Sequence, residues 1–125
     1  MNKEILNEIN RDFQKGFYTG VSVLILLGVV ARAKEPIYGY QIAKTIEGNN
    51  ADTPIIKLGT LYPILRALER DGLLESKIDP SVTGPPRKYY KITDTGRIAL
   101  EQLNSAWEQG KKFMDGILTG VGNDK

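Results

Sequence analysis

Ile5, Leu6, Ile9, Phe13 and Phe17 recur at helical spacing, and Lys3, Glu4, Glu8, Arg11 and Asp12 fill the positions between them. This pattern predicts an amphipathic helix over residues 1–15, ended or bent at Gly16 or Gly20. Residues 21–33 are almost wholly apolar, which predicts a second helix buried on most sides. Lys34-Glu35-Pro36 then breaks the pattern. Residues 38–47 predict a short third helix with Ile42, Ala43 and Ile46 inward. Gly48, Asn49 and Asn50 tolerate positive φ and stop it, and a loop is expected over 50–54.

Leu61, Leu65 and Leu68 mark the buried face of a further helix over 58–71, with Thr60, Tyr62, Pro63 and Arg66 on its other sides. Gly72 stands where a Schellman cap requires it. Residues 74–78 alternate roughly as a strand, 79–86 are rich in turn formers, and 87–92 read as the return strand. Thr93 or Asp94 caps a long final helix. In it Leu103, Trp107, Met114 and Leu118 sit four, seven and four residues apart, with Gly110 at the missing seam position. Such near-heptad spacing calls for a partner helix. The predicted class is mostly α: a winged helix-turn-helix with a two-stranded β wing, flanked by N- and C-terminal helices available for dimerisation.

Composition narrows the chemistry. A 125-residue chain with 41% hydrophobic and 26% charged residues is one folded domain with room for an extra interface helix. It contains no cysteine and no histidine. Disulfides, thiolate metal sites and thiol catalysis are excluded, and the commonest general base and metal ligand are missing. Catalysis would have to rest on carboxylates or lysines, and no close carboxylate pair stands out. Neither an enzyme nor a metal or cofactor site is expected. The apolar run 21–31 is shorter than the roughly 20 residues a membrane span needs, and it does not sit at the N-terminus as a signal peptide would. A cytoplasmic protein without membrane contact is expected.

The net charge is only +2, but its distribution is uneven. Residues 57–91 carry seven basic and four acidic groups, whereas 1–56 carry six of each and 92–125 four basic and five acidic. Clustering matters because phosphate attraction is screened within about 8 Å at physiological salt. Lys57, Thr60, Tyr62 and Arg66 are side chains that contact phosphates or base edges. On the return strand Arg87, Tyr89 and Lys91 share one face, and Lys88 and Tyr90 the other. One tyrosine is expected on the core and the other outside. Charge guarding an edge strand is the plain alternative, but it does not explain why acids are absent from this strand. Tyr38-Gly39 opens the third helix, whose free N–H groups suit phosphate, and Gly39 lets a backbone come close; Tyr40 is expected to pack. Double-stranded DNA is the partner these features favour. The competing class is a winged-helix module that contacts only protein. For Trp107, packing in a helix seam competes with a flat wall for a planar ligand.

Five segments taken together resemble the PadR-like family of transcriptional regulators: Tyr38-Gly39-Tyr40-Gln41-Ile42, Gly59-Thr60-Leu61-Tyr62-Pro63-Ile64-Leu65, Leu68-Glu69, Asp71-Gly72-Leu73, and Gly84-Pro85-Pro86-Arg87-Lys88-Tyr89-Tyr90-Lys91-Ile92-Thr93, with Gly96 following. The resemblance spans about residues 21–107. It implies a homodimeric repressor on an inverted-repeat operator. Thr60 and Tyr62 match recognition-helix positions, and Lys88 and Tyr89 the wing. The single C-terminal helix is similar to a smaller subfamily, some members of which take planar aromatic drugs between protomers near a position like Trp107. The implied division is 1–17 as dimer support, 18–93 as DNA-binding domain, 94–118 as dimerisation helix and 119–125 as flexible tail. Leu103, Trp107, Met114 and Leu118 are the expected dimer contacts. Two features depart from the family pattern. Lys57 stands where Ser or Asn usually caps the recognition helix, so either the cap moves to Thr60 or Lys57 serves a phosphate. The segment before Phe17 is longer than in the shortest members.

Overall fold

A computed structural model describes residues 2–48, 56–80 and 84–121. Asn49 and Asn50, the loop 50–54, the centre of the wing tip at 81–83 and the end of the expected tail lie outside them. Four helices, α1 (Lys3–Arg32), α2 (Gly39–Glu47), α3 (Leu58–Arg70) and α4 (Asp94–Leu118), surround a three-stranded sheet of β1 (Ile37–Tyr38), β2 (Leu74–Asp79) and β3 (Arg87–Ile92).

The two expected N-terminal helices are one. Asn2 caps α1 by accepting from the N–H groups of Glu4 and Ile5 at 2.9 and 3.4 Å, and the helix runs through Gly16 and Gly20 without a break. Neither glycine takes positive φ. A glycine inside a helix costs about 1 kcal/mol against alanine, which weakens a helix but does not stop one. The C-terminal half of α1 buries Ser22, Leu26, Leu27 and Val30, whereas Ile5, Leu6, Ile9, Phe13 and Phe17 are exposed. As one element α1 is long and apolar enough to cross a membrane by length and composition, which corrects the inference drawn from the run 21–31 alone. In this fold its most apolar part is core: Leu26, Leu27 and Val30 cluster with Ile42, Leu61, Leu65, Leu68, Leu74, Tyr90 and Ile92.

The sheet holds one strand more than expected. β3 lies in the middle, antiparallel to both neighbours, in the order β1-β3-β2. Ile37 pairs with Tyr90 and Tyr38 with Tyr89. A two-residue strand shows no periodicity, so no pattern along the chain announces it.

α3 ends as a Schellman motif. The Gly72 N–H donates to Glu69 O at 3.1 Å and the Leu73 N–H to Leu68 O at 2.9 Å, with Gly72 at φ +80°. Thr93 then ties three elements together. Its hydroxyl donates to Gly72 O at 2.7 Å and accepts from the Gly96 N–H at 2.9 Å, capping α4. Gly96 is pressed so closely on Leu73 O and Ile92 that a Cβ has no room. The wing base, the end of α3 and the start of α4 are thereby one rigid junction.

Candidate nucleic-acid interface

The leucine stripe turns α3 so that Leu61, Leu65 and Leu68 are buried and Lys57, Thr60, Tyr62 and Arg66 are exposed. The helix begins without a side-chain cap. Lys57 is the N-cap residue and makes no cap hydrogen bond, while the N–H groups of Thr60 and Leu61 both reach Lys57 O at 2.9 Å. Thr60 lies inside the helix, so the cap has not moved there. Lysine cannot accept an N–H bond, and the first turn of α3 keeps its free donors beside a cation.

Alternation on β3 sorts the wing. Tyr90 is buried and Tyr89 half-buried on the opposite face. Burial pushes the Tyr90 phenol above its usual pKa. Lys88 shares the Tyr90 face, directed toward α3, and its Nζ lies 2.7 Å from Glu69 Oε1. The Ser76 hydroxyl donates to Glu69 Oε2 at 2.5 Å. The hydrogen bond from Lys88, then that from Ser76, holds Glu69 below the usual carboxylate range. The same bond raises the Lys88 ammonium. Arg87 lies over the Tyr38 ring at 4.7 Å. The Tyr38 ring meets Tyr89 edge-on at 5.2 Å and stacks on Tyr40 at 6.5 Å, and Lys44 lies 5.5 Å from the Tyr40 centroid. Tyr40 is 52% exposed, so the expectation that it packs is corrected. It lies on the outer side of α2, away from inward-facing Ile42.

Six of the nine expected interface residues converge. Tyr38, Gly39, Tyr62, Arg66, Arg87 and Lys88 line a groove of about 400 Å³ between the start of α2, α3 and the wing. Lys57 lies apart from it, in a second depression beside Tyr40 and Lys44. Tyr89 faces the outer side of the sheet with Glu75, Lys77 and Lys91. Thr60 is exposed on α3 and lines neither depression. Sequence reasoning missed Glu69 and Ser76, whose pairing to Lys88 crosses from helix to sheet. It also assigned the space above Gly39 to a ligand, whereas the ring of Tyr62 fills it.

A second surface lies on α4, outside the groove. On α4, Leu103, Trp107, Met114 and Leu118 are exposed, as are Phe113 and Ile117 and, just beyond the helix, Val121. Trp107 tilts at 60° against Phe17 of α1, with ring centroids 6.1 Å apart, and stays 37% exposed. Among the described residues no group of acidic, His or Cys side chains can hold a metal.

A helix pair whose second helix is followed by a hairpin, all on one small core, defines a winged helix-turn-helix protein. The sequence profile of the Transcriptional regulator PadR-like family matches residues 26–102, and the chain belongs to that family. Its members are transcriptional regulators, not enzymes. The chain is similar to a PadR family transcriptional regulator from Eggerthella lenta. That crystal structure shares 30% identity over 95% of this chain and 99% of its own, with a TM-score of 0.78. Transcriptional regulator Rv3488 of Mycobacterium tuberculosis is 47% identical over 66 residues, 52% of this chain and 61% of that protein. Bacillus subtilis PadR, solved in complex with operator DNA, shares the fold at 24% identity and a TM-score of 0.58, over 66% of this chain and 46% of its own.

Proposed function

We propose that this regulator is a homodimeric repressor that binds an inverted-repeat operator through α3 and the wing. The observation that carries the reading is the groove in which Tyr62 and Arg66 of α3 meet Arg87 and Lys88 of the wing and Tyr38 and Gly39 of α2. Its exposed cations contact backbone phosphates, which supply affinity without sequence information. Tyr62 and Thr60 lie in the first turns of α3, where a helix entering the major groove meets base edges. Lys57 adds a cation beside the free N–H groups of the α3 start. Tyr89 supports the wing by packing on Tyr38. The Bacillus subtilis relative, solved in complex with operator DNA, supports DNA as the partner.

Two-fold operators need two recognition helices about one DNA turn, roughly 34 Å, apart. The exposed stripe of α4, Leu103, Trp107, Met114 and Leu118, is the face a second protomer covers, joined by Ile5, Ile9 and Phe13 of α1. A contiguous apolar surface of this kind marks an interface. Trp107 stands on that face, and a planar aromatic effector stacked on it would alter the dimer angle and release DNA. In this reading the protein acts in the cytoplasm without membrane contact.

The test is a gel-shift series with duplexes from the region upstream of the gene. An inverted repeat bound in preference to random DNA, with affinity falling steeply as salt rises, is expected. No binding even at low salt would leave the protein-contact module in its place, and equal binding to both duplexes would remove the operator specificity.

A further inference from the structure

Gly39 is the first residue of α2. Its backbone does not call for glycine: among the described residues positive φ occurs only at Gly48, Gly72 and Gly120. At an ordinary helical position alanine is the better helix former. What residue 39 lacks is room. A Cβ there would collide with Tyr62 Cε1 and lie 2.9 Å from both Tyr62 Cζ and Oη. The obstacle is neither α2 backbone nor core but the outer end of a side chain that reaches across from α3. That end can swing, so a methyl group at residue 39 displaces the ring rather than unfolding the helix.

We infer that Gly39 is a positioning residue for Tyr62. The bare first turn of α2 is a socket that holds the phenol ring beside Arg66, Arg87 and Lys88. The inference rests on the DNA-binding reading and deepens it, since it says how α2 takes part without itself entering a DNA groove. Tyr62 is 39% exposed. A half-exposed tyrosine with no neighbour would sample several rotamers and lose that freedom on binding. Seated on Gly39, the ring is ordered before DNA arrives, so its hydroxyl is presented in one place. Both residues line the same groove, which links the close approach to the proposed contact surface.

The test is a double-variant cycle with wild type, Gly39→Ala, Tyr62→Ala and the combined variant, read by fluorescence anisotropy on operator and random duplexes and by thermal melting. Gly39→Ala is expected to weaken operator binding about tenfold, and random DNA less, as Tyr62→Ala does. In the Tyr62→Ala background Gly39→Ala should change DNA binding no further and should leave the melting temperature equal or higher, because the clash is gone and alanine favours the helix. The combined variant also covers the case in which Gly39→Ala alone fails to fold, since removal of the ring should restore folding. Wild-type affinity in Gly39→Ala, a second tenfold loss in the combined variant, or a combined variant that still fails to fold overturns the positioning role. If wild type binds no duplex, the DNA-binding reading falls and the role falls with it. If wild type binds and the cycle is additive, the role falls alone.

Discussion

Lys88 of the wing and Glu69 of α3 are joined at 2.7 Å, and Ser76 of the neighbouring strand completes the bond to the same carboxylate. α3 is therefore pinned to both strands of its wing within the single chain. Lys88 is a strut as well as a cation.

The strut should be visible in acid. Glu69 is held below the ordinary carboxylate value of 4.5, so its contribution is complete above that value and is lost as the pH falls through its lowered value in the folded state. The side chains are 30% and 41% exposed, which limits the contribution to about 0.5–1 kcal/mol. Urea midpoints measured down the acid limb should fall less steeply for Glu69→Gln than for wild type. Identical slopes would mean that the pair adds nothing to stability.

Lys88 should also count phosphates. Replacing it with Ala is expected to weaken binding to all duplexes alike and to reduce the slope of log affinity against log salt by about 1. Glu69→Gln, which leaves Lys88 without its counter-charge, should strengthen binding at low salt. An unchanged slope in Lys88→Ala would confine this lysine to the strut.

Tyr62 and Thr60 should carry specificity more than affinity. Tyr62→Ala is expected to cost about 1–3 kcal/mol on operator DNA and less on random DNA. Competition titrations with the two duplexes measure the difference. Losses of equal size on both would assign Tyr62 to the phosphate backbone.

The exposed stripe of α4 should be the dimer contact. Truncation after Asn104 removes Trp107, Met114 and Leu118 and is expected to give a monomer or an insoluble chain by light scattering. A well-folded dimer that survives the truncation would place the interface elsewhere, with α1 the next element to test.

Trp107 should report on planar aromatic compounds. Its indole leans on Phe17 and stays partly exposed, and a Cβ at Gly110, one turn away, would meet nothing within 4 Å. Dye binding should quench the fluorescence of Trp107, and Trp107→Ala should lose the dye. Binding unaltered by the substitution would leave the indole as packing between α1 and α4.

Where one element obeys one period, the chain itself determined the outcome. Leu61, Leu65 and Leu68 gave α3 its buried face, and Gly72 its end. Alternation put Tyr89 and Tyr90 on opposite faces, one of them inward. Thr93 and Asp94 were the two caps the chain offered for α4, and the apolar spacing of Leu103, Trp107, Met114 and Leu118 marked the stripe that stays exposed on it. These features are local, since each depends on residues a few positions apart. Only the tertiary structure decided the rest. Gly16 and Gly20 look like stops, but the burial of Leu26, Leu27 and Val30 and the Asn2 cap stabilise a helix that runs through them. β1 is two residues long and exists only because β3 offers an edge. Glu69, Ser76 and Lys88 belong to three elements, and no spacing along the chain brings them together. Gly39 carries no backbone signal at all: its meaning lies in the ring of Tyr62, twenty-three residues away, which a sequence can place only after the core has set α2 against α3.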